Sequence, residues 1–343
     1  MSRRPVIRIV RGEPLLDIHS LGRVGPSGRF SPTQIQQIER TVRRLPEVMV
    51  KITGGGARVG AVAAHFSYIS RKGQFAIETD ERERVVGRDA QKALLADWHL
   101  ELSAGQYRAP REGRKTARRT KLVHNIVLSM PFPTPPEKVL AAARTFGREK
   151  FGHRHRYAMV LHTDQKHPHV HMVVKAESEH GRRLHIDKKM LRHWREDFAR
   201  MMREQGVAAN ATPRVLRGKA RGKTKDAIYR SHQRGASNAI RTRVNDVVTE
   251  LRANGAIRDP ARDRLIETRK AVVSAWMSTA EQLEAQGDVE LGREVRHFAR
   301  HLPPVLTDKE RLAIQLLQHV RAQRAQSVDN RESARQRDHE RTR

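Results

Sequence analysis

The densest chemistry in the chain lies in ten residues, His162-Thr-Asp164-Gln-Lys-His167-Pro168-His169-Val-His171. Side chains alternate between faces along a strand. One strand arriving through Val160, His162 and Asp164, and a second leaving through His169, His171 and Val173, would set those residues on one face. Gln165 to Pro168 make a four-residue loop of ordinary hairpin length. That loop pairs Asp164 with His169 and His162 with His171, and cross-strand partners share a side. Leu161, Val170, Met172 and Val174 fall on the opposite face and can pack on a helix. Three imidazoles beside a carboxylate suit a divalent metal with positions left for water or substrate, His162, His169 and His171 being the ligands. Asp164 fits a partner role, accepting a ring N–H to orient one ligand. His167, in the turn beside Pro168, is the weaker ligand. The chain holds 18 histidines, so scattered ones mean little, and the plain alternative is a solvated histidine-rich hairpin. Three on one sheet face are costly unless something binds there. There is no helical H-E-x-x-H, the metalloprotease pattern.

With no cysteine in the chain, a thiol is excluded, as are a disulfide framework, a Cys-ligated zinc and an iron–sulfur centre. The four tyrosines are Tyr68, Tyr107, Tyr157 and Tyr229. Tyr68 lies in Arg58-VGAVAAHFSYISRKG, where Val59, Val62, Ala63 and Phe66 follow helical spacing and form a buried stripe. Tyr68 falls on another face, with Ala61, Ala64 and His65 on the turn before it. The alanines leave room for a bulky ligand. Arg71 and Lys72 follow at i+3 and i+4; nearby cations favour a phenolate and would bind a phosphate. An ordinary surface or core tyrosine is the plain alternative.

The elements that must position these groups follow from pattern. Residues 1–45 read as a basic, loosely structured lead-in broken by Gly and Pro. Val48 to Ile52 read as a strand, Val59 to about Ser70 as a helix, and 88–105 as a second helical stretch. Leu122 to Ser129 is strand-like. Thr134-Pro-Pro-Glu137 reads as a capping box opening a helix to about Lys150, with Val139, Leu140, Ala143 and Phe146 on one face. The hairpin follows, then a short strand Arg182 to Ile186 and a helix capped by Asp187 that carries Leu191, Trp194, Phe198 and Met201. This order predicts an α+β fold with a largely antiparallel sheet and flanking helices. Its elements fill about 46–210, and with the basic stretch after Pro213 the domain is set at 46–230. A helical region at 231–326 is expected to follow, with helices at about 226–253, 261–286 and 307–325. The polar, arginine-rich end at 327–343 is expected to be disordered.

Lys and Arg number 68 against 38 Asp and Glu, a net charge of +30 over 343 residues. Such a surplus needs an anionic partner, and nucleic acid is the commonest. Aromatics at 4% weaken a membrane-surface reading. No run of eighteen apolar residues exists, and MSRRPVIRIVRGEP lacks the apolar stretch of a secretory signal, so a soluble cytoplasmic protein is expected. Basic segments at 108–121 and 214–225, the second with Arg217, Lys219 and Arg221, read as phosphate-contacting arms.

GGGARVGAVAAHFSYISRKG, HNIVLSMP and HTDQKHPHVHMVV, in that order, resemble motifs I, II and III of plasmid conjugative relaxases of the HUH endonuclease superfamily. The likeness is to the P-type mobilisation relaxases that include the T-DNA border endonuclease, and it covers about 47–230. The resemblance implies a palm-like antiparallel sheet and a site- and strand-specific nick at a transfer origin. It implies that Tyr68 attacks DNA and leaves a 5′-phosphotyrosyl adduct, that Ser129 contacts DNA near the nick, and that His162, His169 and His171 hold Mg2+ or Mn2+. Asp164 matches the motif and is a candidate acceptor of the phenol proton. Arg71 and Lys72 are candidate DNA contacts. Implied partners are single-stranded and duplex origin DNA, relaxosome accessory proteins and a type IV secretion coupling protein, with export attached to DNA. The rivals are a rolling-circle replication initiator, a non-catalytic mobilisation accessory protein, and a metal-dependent hydrolase using water. Replication initiators of the superfamily place the histidine motif before the tyrosine; here Tyr68 comes first.

Overall fold

The computed structural model describes residues 29–106, 120–219, 238–255, 257 and 259–341. Among them, 31–212 form one compact unit, and 29–30 with 213–341 form another. No helix among the described residues is long and apolar enough to cross a membrane.

The first unit is α+β. In chain order it contains α1 (Pro32–Val42), β1 (Met49–Gly54), α2 (Val59–Ile69), β2 (Ile77–Thr79), β3 (Arg84–Val85), α3 (Arg88–Asp97), α4 (Leu100–Gln106), β4 (Val123–Ser129), α5 (Pro136–Lys150), β5 (Tyr157–His162), β6 (His169–Lys175) and α6 (Lys188–Glu204). The six strands form one sheet in the order β1-β4-β6-β5-β2-β3, and every pair is antiparallel. Both faces of its centre are covered, which is why β4 and β6 read as apolar runs rather than clean alternations. On one face Ile126, Leu128, Met159, Val170, Met172 and Val174 meet Phe146 of α5 and Trp194 and Phe198 of α6. On the other, Val123, Ala158, Val160 and Val173 meet Val62, Phe66 and Ile69 of α2 and Leu94 and Trp98 beside them.

Several expectations are corrected. The hairpin closes at His162↔His169 and Val160↔His171, two residues tighter on the strands than the expected pairing. Six residues then form the loop, and Asp164 lies in it rather than opposite His169. Ser129 and Met130 account for the longer loop: the Ser129 hydroxyl and the Met130 N–H both donate to Pro168 O, at 3.2 and 3.2 Å, fastening the loop's end to β4. Thr134 is no cap: its hydroxyl donates to Pro131 O at 2.7 Å, and Pro135 occupies the cap position of α5 without a side-chain bond. Arg182 to Ile186 forms no strand, only an isolated bridge Glu177↔Arg183 across a turn through Gly181. Trp98 and His99, the latter at φ 46°, divide the 88–105 stretch into two helices.

The stretch read as a loose lead-in contains α1. Ser31 and Gln34 form a reciprocal capping box at its start. Thr41 and Gln37 then join a buried network: Asn210 Nδ2 donates to Thr41 Oγ1 at 3.2 Å and Gln37 Nε2 to Asn210 Oδ1 at 2.7 Å. Buried amides of this kind are costly unless satisfied, so the network holds α1 to the strand-like segment at 209–212.

The second unit has four described helices, α7 (Asn238–Asn254), α8 (Ala261–Ala285), α9 (Val289–Arg300) and α10 (Asp308–Arg341). α9 was not expected. Gly287 at φ 95° ends α8, and Asp288 at once caps a new helix that buries Leu291, Val295 and Phe298. The segment expected to be disordered is helical as far as Arg341, since its Ala, Arg, Glu and Gln are all strong helix formers.

Glycines at the β1–α2 junction supply a test. A Cβ on Gly55 would lie 2.2 Å from the carbonyl oxygen of Val123, a backbone atom that cannot swing aside, whereas one on Gly54 meets nothing within 4 Å. Gly55→Ala should lower stability by ~1–3 kcal/mol, as overpacking does, with Gly54→Ala close to neutral; denaturant midpoints decide.

Candidate functional site

The site grows from the end of the sheet face that packs on α2. Cross-strand rows run Ser129–His169–His162 and Val127–His171–Val160 through β4, β6 and β5. Two residues further on, the same face is apolar, at Ala158 and Val173. His162, His169 and His171 each bring one ring nitrogen to within 4.8 Å of the others. The ring centroids of His162 and His171 are 4.5 Å apart, and His169 lies 5.0 Å from each.

Two ring orientations are set by backbone carbonyls. A carbonyl can only accept, so His162 Nε2–H donates to Ile69 O at 2.6 Å and His169 Nδ1–H donates to His167 O at 3.0 Å. Their other nitrogens keep lone pairs. The buried Nδ1 of His171 has no hydrogen-bond partner. Lone pairs at one point and an orphaned buried nitrogen are what a divalent ion would satisfy, so the donor set fits a metal. Burial, reinforced by His162 and His169, pushes His171 down to about 3, and burial also lowers His162. Both are therefore neutral near pH 7, the form that ligates.

Tyr68 sits in the last turn of α2 and is 52% exposed. The next residue, Ile69, supplies the carbonyl that His162 holds. Arg71 and Lys72 follow in the left-handed region, at φ 51° and 60°. That bend turns Arg71 back over the site. Its guanidinium lies 5.3 Å from the Tyr68 ring centroid and binds Asp164 Oδ2 through Nη2 at 2.6 Å and Nε at 3.1 Å. Arg71 Nη2 is also 3.4 Å from His162 Nδ1.

Asp164 therefore does not orient a ligand ring as expected. Its Oδ1 stands 3.9 Å from His162 Nδ1, and the carbonyls of Ile69 and His167 take the N–H groups instead. The Arg71 hydrogen bond holds the Asp164 carboxyl below the usual range and makes it a poor proton acceptor. Ser129 is buried, with its hydroxyl turned to Pro168 O, so it steadies the turn that carries His169. His167 is exposed and outside the triad; its Nδ1 accepts from Phe132 N–H at 3.0 Å. Lys72 is exposed beside the site. Arg217 and Lys219 belong to the second compact unit, and Arg221, Lys223, Lys225, Tyr107, Tyr229 and 108–119 lie outside the described residues.

Two site residues were missed. His65 stacks on Tyr68 at 6.3 Å and meets His171 edge-on at 6.3 Å, and its buried Nε2 has no partner. Its i−3 spacing from Tyr68 was the available signal. Lys51 pairs with Val127, on the row of His171, and so stands on the site face. Nothing in a six-residue strand marks which face a lysine takes until its neighbours are known.

An open antiparallel sheet thus gathers three imidazoles beside a helix-borne tyrosine. Residues 68–207 match the family described as relaxase, MobA/VirD2-like, nuclease domain. Over 209 residues the chain is 27% identical to the T-DNA border endonuclease VirD2 of Agrobacterium fabrum, covering 57% of this chain and 46% of that one. The VirD2 of Rhizobium radiobacter is 28% identical over 202 residues, covering 55% and 46%. The matched segment thus spans a little under half the length of these relatives. A solved chain described as "Molecular Basis of Vancomycin Resistance Transfer in Staphylococcus aureus" aligns over 49% of this chain and 99% of its own at 10% identity, with a TM-score of 0.32.

The depressed histidine supports a pH test on the metal-free protein. An unfolded imidazole takes its proton near pH ~6.5, whereas folded His171 resists until about 3. The unfolded state then binds more protons across that window, so stability falls as pH drops from 6.5 towards 3. His171→Leu should flatten the slope of stability against pH by up to ~1.4 kcal/mol per unit, read by denaturant unfolding above the carboxylate range.

Proposed function

We propose that the chain is a DNA relaxase that nicks one strand at a transfer origin through Tyr68. What carries the reading is the junction of α2 with the triad: Ile69, next to the tyrosine, accepts from His162, and His65, one turn before it, lies against both Tyr68 and His171. In this reaction the Tyr68 phenol oxygen attacks the scissile phosphorus and the bond from phosphorus to the 3′ oxygen breaks. The phenol proton is lost, the leaving oxygen becomes a 3′-hydroxyl, and the phosphate stays on Tyr68 as a 5′-phosphotyrosyl diester. One ester replaces another, so the strand can later be rejoined. A divalent ion on His162, His169 and His171 would supply charge withdrawal at the phosphate. An all-imidazole set favours Mn2+ over Mg2+, which prefers oxygen ligands. Asp164 acts as a positioning residue through Arg71, and Lys72 offers a charge to the backbone.

The excess of 30 positive charges suits single-stranded and duplex origin DNA, with Arg217, Lys219 and Arg221 as phosphate contacts and Ser129 near the nick. Relaxosome accessory proteins and a type IV secretion coupling protein complete the partner set, with action in the cytoplasm before export of the bound strand.

Incubation with single-stranded origin DNA should yield a protein–DNA band that survives denaturant. Tyr68→Phe should bind the DNA with unchanged affinity and form no such band; an adduct mapped to another tyrosine would sink the assignment. In calorimetry with Mn2+, His169→Ala and His171→Ala should each weaken binding at least ~10-fold, whereas His167→Ala and Asp164→Ala should not, since the Asp164 carboxylate holds Arg71 and no ligand ring.

A further inference from the structure

Among the described residues only two aromatic side chains are widely exposed, Tyr68 at 52% and Phe132 at 63%. Every other described Phe, Tyr and Trp is buried or partly so, in a chain only 4% aromatic. Single exposed apolar residues are common on protein surfaces and need no explanation in themselves. The position of Phe132 does need one. It follows β4, and its N–H donates to His167 Nδ1 at 3.0 Å, while the carbonyl of the same His167 accepts from His169 Nδ1 at 3.0 Å. Two residues earlier, Met130 N–H donates to Pro168 O at 3.2 Å. The backbone bearing Phe132 is thus bonded to the turn that orients one member of the triad. Tyr68 is joined to another member in the same manner, through Ile69 O and His162. Pro131 and Pro133 flank Phe132 and restrict its backbone, so little freedom is lost when its ring is used.

We propose, resting on the relaxase reading above, that Phe132 is a base-stacking residue: its ring packs on an unpaired nucleobase of the strand whose phosphate lies at the triad, on the side away from Tyr68. Aromatic faces serve single strands in this way without regard to base identity, because every base has a π-face. The exposed Lys166 in the adjoining turn adds a charge for the backbone of the same stretch.

The test uses the full chain and two probes of equal charge, a twelve-nucleotide oligothymidylate and a twelve-unit abasic oligomer. Trp98, Trp194 and Trp276 are all buried, so Phe132→Trp creates the one exposed described indole. Its emission should be quenched by the oligothymidylate and not by the abasic oligomer. Phe132→Ala should bind the oligothymidylate about 5- to 140-fold more weakly than wild type, the range for one stacked base, and bind the abasic oligomer equally well. Phe132→Leu, which keeps apolar bulk without a π-face, should resemble Phe132→Ala. Unchanged oligothymidylate affinity in Phe132→Ala, or equal quenching by both probes, overturns the inference and leaves the nicking reading untouched. Failure of wild type to bind either probe overturns both.

Discussion

One hydrogen bond, from His162 Nε2 to the carbonyl of Ile69, joins the two halves of the site. The last carbonyls of a helix have no partner within it, and α2 ends at Ile69. The imidazole N–H satisfies one of those carbonyls and in return fixes its own tautomer, leaving Nδ1 on the triad side. His162 is fully buried, so leaving the N–H unmade would cost ~1–3 kcal/mol. The bond also ties Tyr68 closely to the imidazoles, because the accepting carbonyl belongs to the very next residue. Packing of Val62, Phe66 and Ile69 on Val160 and Val173 holds the helix at the height this bond requires.

The turn that follows is strained. Arg71 and Lys72, neither glycine, adopt left-handed backbone angles in succession, at roughly 1–2 kcal/mol each. The conformation is held from both sides. Lys72 N–H donates to Ser67 O at 2.7 Å and Phe75 N–H to Ser70 O at 2.8 Å, which close the turn on the helix end. Beyond it the Arg71 side chain binds Asp164 with two nitrogens. Because Asp164 belongs to the β5–β6 loop, the ion pair is a second tie between the tyrosine helix and the histidine hairpin. Strain of this order next to the proposed nucleophile is what a preorganised site would carry.

Much of this was legible in the residues, for a definite reason. Strand alternation has period two, so the expected hairpin register was wrong by two residues yet kept His162, His169 and His171 on one face. The same shift moved Asp164 off the strand, and its partner became Arg71, which is 93 residues away in sequence and invisible to any local pattern. β2 and β3 are three and two residues long and carry no periodic signal. α9 leaves little trace in the sequence because Gly287 ends α8 and Asp288, immediately after it, caps the next helix with no loop between them. Exposure of Phe132 could not be inferred from M-P-F-P, since an aromatic between prolines is as readily buried.

The placement of Tyr68 raises an electrostatic question that the neighbouring residues answer. A helix C-terminus carries partial negative charge, an unfavourable place for a developing phenolate or an incoming phosphate. An anion there would gain nothing from α2, whose N-terminus, the favourable end, lies nearly three turns away at Val59. Two cations directly after the helix reverse the local sign. Arg71 is partly neutralised by Asp164, and that pairing keeps its guanidinium at 5.3 Å from the phenol ring rather than extended into solvent. Lys72 remains exposed and keeps its full charge towards an approaching strand. The lowered pKa of the neighbouring imidazoles acts in the opposite direction, because His65, His162 and His171 are neutral and contribute no charge of their own. In the proposed reaction, positive charge for the phosphate would come from Arg71, Lys72, Lys51 on the same face and an ion on the triad, and burial, by keeping the histidines neutral, leaves their lone pairs able to ligate.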